Sequence, residues 1–271
     1  MQVVSSFRFF HACLATQAGP RSRARTRAVA RTVVLALLVG YGALASPSVA
    51  GADRPSASAH SGPSQQLPPA TEDPDLKAAY AYYQRGAVSS AFERYARAAK
   101  RGQPIAQYNI AMMLFNGEGV AMDPARARDW LARAAAGGLA QAQFNQGLLY
   151  ENGNGVARSQ SEAAAWFRRA AEQGHADAQV SLATQYFLGR GVKKDEAEAA
   201  RWYKRAAIGG VVEAQYIIAS CYEHGEGVAR DKKRAIYWYT KAGLQGDTVA
   251  AEKAKVLSAP EKTSRKIVPA G

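Results

Sequence analysis

The sequence predicts an all-α fold, an α/α superhelical solenoid of 36-residue helix-turn-helix repeats, and three columns of residues carry that prediction. All four tryptophans of the chain, Trp130, Trp166, Trp202 and Trp238, stand 36 residues apart. Gln107, Gln143, Gln179 and Gln215 keep the same interval, as do Gly117, Gly153, Gly189 and Gly225, each opening a Gly-x-Gly-Val motif. A fixed period of this size marks stacked supersecondary units rather than one closed core. It sets four full units at 104–139, 140–175, 176–211 and 212–247.

The first 50 residues belong to something else. They hold six of the 35 basic residues and no acid, so the formal charge of +13 overstates the rest, where 29 basic residues face 22 acidic ones. After Arg31 comes an apolar run of 13 residues, Val33 to Ala45, followed by small-x-small sequences at Ala43-Leu44-Ala45 and Ser48-Val49-Ala50. This is the layout of a secretory signal peptide, residues 1–50, with cleavage after Ala50 as the preferred site. The run is short of the roughly 20 apolar residues that span a bilayer. An uncleaved inner-membrane anchor is the alternative, since 21 uncharged residues separate Arg31 from Asp53, although Pro47 interrupts a continuous helix there. An organelle transit peptide would spread its arginines through an amphipathic helix, and none enters this apolar block.

Residues 51–74, GADRPSASAHSGPSQQLPPATEDP, offer almost no large apolar side chain and read as a disordered linker. Residues 75–103 read as a short N-terminal capping repeat. Arg97-Ala98-Ala99 and Gly102 are in register with Arg133-Ala134-Ala135 and Gly138, and Arg94 takes the tryptophan position, as suits an end that meets solvent.

Each full unit predicts two helices. In the first, Ala106, Ile110, Met113 and Leu114 recur as Ala142, Gln146, Leu149 and Tyr150 and again in the next two units, an i, i+4, i+7, i+8 stripe for one buried face. The Gly-x-Gly-Val loop then reverses the chain with residues tolerant of positive φ. The second helix starts at Asp123, Ser159, Asp195 and Asp231, all able to cap free N–H groups, and Glu162 and Glu198 predict reciprocal capping boxes. Its columns of Ala127, Trp130, Leu131 and Ala134 let neighbouring helices approach closely while the indole fills the gap, and Gly138, Gly174, Gly210 and Gly246 end it. One such unit cannot bury its faces alone, so the units must stack. Residues 248–258 repeat the first helix with polar replacements, a C-terminal capping helix, and 259–271 read as a disordered tail.

The segments AQYNIAMMLFNGEGV (106–120), AQFNQGLLYENGNGV (142–156) and WFRRAAEQGH (166–175) resemble the Sel-one-like repeat (SLR) family, a 36-residue relative of the tetratricopeptide repeat. That resemblance implies protein–protein interaction: adaptors, scaffolds and regulators, in bacteria often exported. One secreted branch carries a disulfide in every repeat. Here the only repeat cysteine is Cys221, so the antibiotic binding and weak hydrolysis of that branch do not carry over.

No catalytic constellation emerges. Cys221 and His224, three apart, fall in the packing column of Met113 and the loop column of Asn116, and two ligands make no structural zinc site. No cofactor or metal is expected. The Gly-x-Gly-Val loops recur at turns rather than after a strand, which excludes a phosphate loop. Two surfaces remain. Arg97, Arg133, Arg169, Arg205 and Lys241 form a basic stripe near the end of each second helix. Complementing the helix dipole and covering the neighbouring unit explains it, with an anionic protein or polysaccharide surface as the alternative. The positions that vary between units on the first helices, Asn109, Met112, Asn145, Leu148, Ser181, Thr184, Ile217 and Ser220, are predicted by helical phase to face solvent and line a protein-binding groove.

The reading is an exported, non-enzymatic scaffold, adaptor or regulator of the bacterial envelope, monomeric, periplasmic or secreted, with another protein as partner. Nucleic acid is excluded because export removes the chain from it and no aromatic-basic module is present. A membrane enters only if the leader stays uncleaved. The alternatives are a ligand-binding or weakly enzymatic secreted repeat protein, and a cytosolic or membrane-anchored scaffold.

Overall fold

The computed structural model describes residues 73–260, and the leader, most of the linker and most of the tail lie outside them. Among the described residues the chain is eleven α-helices: α1 Pro74–Gln84, α2 Val88–Lys100, α3 Pro104–Asn116, α4 Pro124–Ala136, α5 Ala140–Asn152, α6 Gln160–Glu172, α7 Ala176–Leu188, α8 Glu196–Ile208, α9 Val212–His224, α10 Lys232–Leu244 and α11 Thr248–Ser258. Each packs chiefly against its neighbours in sequence, giving five helical hairpins and a closing helix.

Local chemistry sets the boundaries. Gly117, Gly153, Gly189 and Gly225 end α3, α5, α7 and α9 in the left-handed region, with φ of 70°, 74°, 69° and 77°, where a Cβ would be strained. The second glycine of each motif has a different role. A Cβ on Gly119 would lie 2.7 Å from the Val88 carbonyl carbon, and one on Gly191 or Gly227 would collide with backbone at Gln160 or Glu196. These three loops therefore rest on the start of the second helix of the preceding unit, while Gly155 lies against the Arg128 side chain.

The predicted caps are present: the carboxylate or hydroxyl oxygens of Asp123, Ser159, Asp195 and Asp231 accept from N–H groups two or three residues on. The reciprocal half of the capping box is absent at Ser159 and Asp195. Their own N–H groups donate instead to Tyr150 O (2.9 Å) and Tyr186 O (3.0 Å), tying each second helix to the last turn of the first. Glu198 pairs with Arg201.

The junction between units is held by the glutamine column. Gln107, Gln143, Gln179 and Gln215 are buried, and each Nε2 donates across the turn to the carbonyl of Ala99, Ala135, Ala171 or Ala207, every time at 3.2 Å. At the last junction Ala251 stands in the glutamine column and Gly243 in the alanine column; a Cβ on Gly243 would lie 2.9 Å from Ala251, so direct contact replaces the bond.

First and second helices bury different fractions of themselves. In α3 every residue from Ala106 to Phe115 is buried, because it is flanked by α2 and α4, whereas α4 buries only Ala127, Leu131, Ala134 and Ala135. At the start of the stack Arg94 meets Asp75 at 3.0 Å instead of filling a core.

The ring of Phe167 occupies the space over Gly147, where an added Cβ would meet it at 2.5 Å. Gly147→Ala is expected to lower stability by about 1–3 kcal/mol. Adding Phe167→Leu, which recreates the Ala111–Leu131 pair of the preceding unit, should restore most of it in thermal melts followed by circular dichroism.

Candidate functional site

The eight first-helix positions do not form an open groove. Asn109, Met112, Asn145, Ile217 and Ser220 are buried, and Leu148, Ser181 and Thr184 are half-buried. The reason lies in the second helix. The column Leu131, Phe167, Tyr203 and Tyr239 faces the column Met112, Leu148, Thr184 and Ser220 in register: an apolar side chain stands opposite Leu131 and Phe167, and a hydroxyl opposite each tyrosine. Thr184 Oγ1, already donating to Val180 O, accepts from Tyr203 Oη at 2.9 Å, and Ser220 hydrogen-bonds Tyr239. Asn109 likewise bonds Tyr95, and Asn145 Nδ2 donates to Tyr108 Oη at 3.3 Å. At Asn109, Asn145, Thr184 and Ser220 the side chain therefore satisfies a buried phenol, because a buried hydroxyl without a partner is costly.

The basic stripe is solvent-exposed, and its geometry differs from the expected cover over neighbouring units. Arg133, Arg169 and Arg205 stack on the tryptophan three residues earlier in their own helix, with guanidinium carbons 4.8, 4.4 and 4.6 Å from the ring centres of Trp130, Trp166 and Trp202. Lys241 Nζ sits 6.0 Å from Trp238 and 5.4 Å from Tyr237. Arg97, which has no tryptophan beneath it, pairs with Asp75 at 3.3 Å. Among the described residues no carboxylate lies within ion-pair distance of Arg133, Arg169, Arg205 or Lys241.

A second polar feature escaped the sequence reading. The last turns of α3, α5, α7 and α9 alternate Phe115, Glu151, Phe187 and Glu223. Glu151 accepts from Gln185 Nε2 at 2.9 Å, and burial raises its pKa against the opposing pull of Arg190 and Arg158. Glu223 accepts from Tyr239 Oη (2.9 Å) and from Lys253 (3.2 Å). Glu151 thus joins α5 to α7 and Glu223 joins α9 to α10 and α11, and the alternation was the signal that could have found them.

Cys221 is buried, and burial, reinforced by Glu226 and Glu196, pushes its thiol up to about 12, which leaves it no thiolate at neutral pH. His224 Nε2 approaches Glu223 at 3.7 Å. Among the described residues no three His, Cys, Asp or Glu side chains are grouped to hold a metal ion. In a Cys13→Ser background, Cys221 should resist a thiol reagent until the chain unfolds, and Cys221→Ala should lower stability by about 1 kcal/mol. Fast labelling of the native chain would contradict the assignment.

His175 caps α7: its Nδ1 accepts from Ala178 N (3.3 Å), Nε2 donates to Gln141 Oε1 (3.0 Å), and the ring stacks on Phe144 at 4.7 Å. That geometry needs the neutral imidazole, and burial holds its pKa below the usual value despite Asp177. The unfolded chain therefore binds a proton first, so the stability this group contributes is present above about pH 6.5 and is lost as pH falls through the lowered folded value. His175→Asn, which can still cap, should show a smaller fall in Tm between about pH 7.5 and 5.5 than the parent chain.

The Sel1 repeat model matches residues 71–87, 104–139, 140–175, 176–211 and 212–247. Among solved structures, a protective antigen of uropathogenic Escherichia coli strains displaying an SLR fold aligns over 68% of this chain and 40% of its own, at 30% identity and a TM-score of 0.64. A Sel1 repeat protein from Oxalobacter formigenes aligns over 62% of this chain and 49% of its own, at 34% identity and a TM-score of 0.59. The chain thus spans less than half the length of either. No curated protein matches it. By the matched repeats and by the hairpin stack they build, the chain belongs to the Sel1 repeat family of helical solenoids.

Proposed function

We propose that this chain is an exported, non-enzymatic adaptor or regulator of the bacterial envelope that holds another protein on the outer surface of its second helices. Sel1 repeat proteins are protein-interaction scaffolds. The observation that carries the reading is a division of labour between columns. Apart from the exposed basic stripe, those that repeat are used inside the stack, as glutamine clamps, alanine contacts and indoles. The exposed positions of α4, α6, α8 and α10 change chemistry from unit to unit: Asp129, Ala165, Arg201 and Tyr237 at one, Ala136, Glu172, Ile208 and Leu244 at another. Ile208 is 68% exposed and Leu244 83%. A surface that varies over a fixed frame is what recognition of one particular partner requires.

Export is supported by the leader, whose arginine-rich start, 13-residue apolar run and small-residue ends match a secretory signal. Periplasmic or secreted is the location this implies. Among the described residues no helix is long and apolar enough to cross a membrane.

Capture of C-terminally tagged full-length protein from envelope extracts, with mass spectrometry of the N-terminus and of co-purifying chains, tests both halves. A start at Gly51 or Ser46 with one stoichiometric protein partner is expected. An intact leader with only cytosolic or nucleic-acid partners would sink the reading.

A further inference from the structure

We propose that Arg133, Arg169 and Arg205, continued by Lys241, form a docking rail for an extended, carboxylate-rich segment of the partner protein. This rests on the scaffold reading and deepens it by naming the partner's chemistry. Three observations converge. The cations repeat at 36-residue intervals on the exposed side of α4, α6, α8 and α10. None has a carboxylate within ion-pair distance among the described residues, whereas Arg94, Arg97 and Arg101, which lack a tryptophan beneath them, are all paired with Asp73 or Asp75. Each of the three guanidinium groups is seated on an indole at 4.4–4.8 Å.

The stacking decides what the rail recognises. A guanidinium lying over a ring keeps its N–H donors at the edges, directed sideways, in the planar fork that matches a carboxylate. Its rotamer is already fixed by the ring, so less conformational freedom is lost on binding than from a free surface arginine. Arg168 and Lys204 stand beside Arg169 and Arg205 and add charge of the same sign. Residues 1–50 contain no acid, residues 51–72 only Asp53 and Glu72, and residues 261–271 only Glu261, so none of these segments is carboxylate-rich.

Intrinsic fluorescence reads the rail directly, because all four tryptophans of the chain lie in it. Titration of the full chain with a glutamate decapeptide is expected to give a saturable change in tryptophan emission that weakens with added salt, and a glutamine decapeptide to give none. The triple variant Arg133→Gln, Arg169→Gln, Arg205→Gln should bind about tenfold more weakly while keeping its helical circular dichroism. The three single variants, each expected to lose about twofold, carry the test if the triple fails to fold. Lysine at all three positions should restore only part of the affinity, since it keeps the charge and loses the fork. Equal affinity of the parent and the glutamine variants for the glutamate peptide overturns the rail. So does tighter binding of a sulfated polysaccharide or an oligonucleotide through the same arginines, which would make it a general polyanion surface. Should the triple variant still capture the parent chain's partner from envelope extracts, the rail fails and the scaffold reading stands.

Discussion

The stack depends on one interaction made four times: a buried glutamine amide bonded at 3.2 Å to the carbonyl of the alanine eight residues earlier. The end of a helix leaves carbonyls without intrahelical partners, and a junction that buries them must supply donors. The turn amide reaches one lone pair of that oxygen, as Gly138 N does on Ala135 O at 3.1 Å, and the glutamine reaches the other. Because the donor belongs to the next unit, satisfying the carbonyl also fixes how that unit sits. The alanines and indoles then pack in a geometry already chosen. Where the clamp stops, at Gly243 and Ala251, the chain supplies contact of small residues in its place.

The period was legible because the chain repeats itself every 36 residues, and the helix caps and loop glycines because each depends on neighbours within about ten residues in sequence. Asp123 can be read as a cap from its own position and from Pro124 after it. The closed capping box was not legible, since whether an N-cap amide is free depends on where the preceding helix ends, and Tyr150 O and Tyr186 O take it. The groove was misread for a related reason. Helical phase alone put Thr184 and Ser220 on an open face, but phase says nothing about what packs there. The tyrosine hydroxyls 19 residues further on bring those positions inside. The pairing could have been seen by comparing the two columns unit by unit, since the hydroxyl-bearing residue changes with the ring it faces.

The units are not four copies of one solution. Glu151 and Glu223 alternate with Phe115 and Phe187, and Gln173 and Gln245 alternate with Gly137 and Gly209. Gln173 donates to Gln143 Oε1 at 2.7 Å and Gln245 to Gln215 Oε1 at 2.8 Å, so every second clamp is itself clamped. The first and third full units thus follow one pattern and the second and fourth another, a 72-residue alternation laid over the 36-residue frame. Polar bridges and aromatic contacts take turns at the same place without disturbing the stacking. The frame therefore tolerates changes of chemistry at its edges, the property a binding surface needs.

The arginine column has two physical consequences from one geometry. Over an indole half open to water, a guanidinium covers apolar surface and gains about 0.5–1 kcal/mol from the ring, which is reason enough for the column to recur inside a repeat. The same stacking leaves the positive charge unneutralised and its donors in a fixed plane. A structural rung thereby presents a row of cations that lose less conformational freedom on binding than free surface arginines, and the row lengthens with each unit added. Stability and recognition then select the same residue, so the recurrence of arginine at this column argues for neither against the other. What separates them is the contrast with Arg94, Arg97 and Arg101. At those three positions, near the start of the stack, Asp73 and Asp75 hold the arginines; over the three indoles no carboxylate lies within ion-pair distance among the described residues.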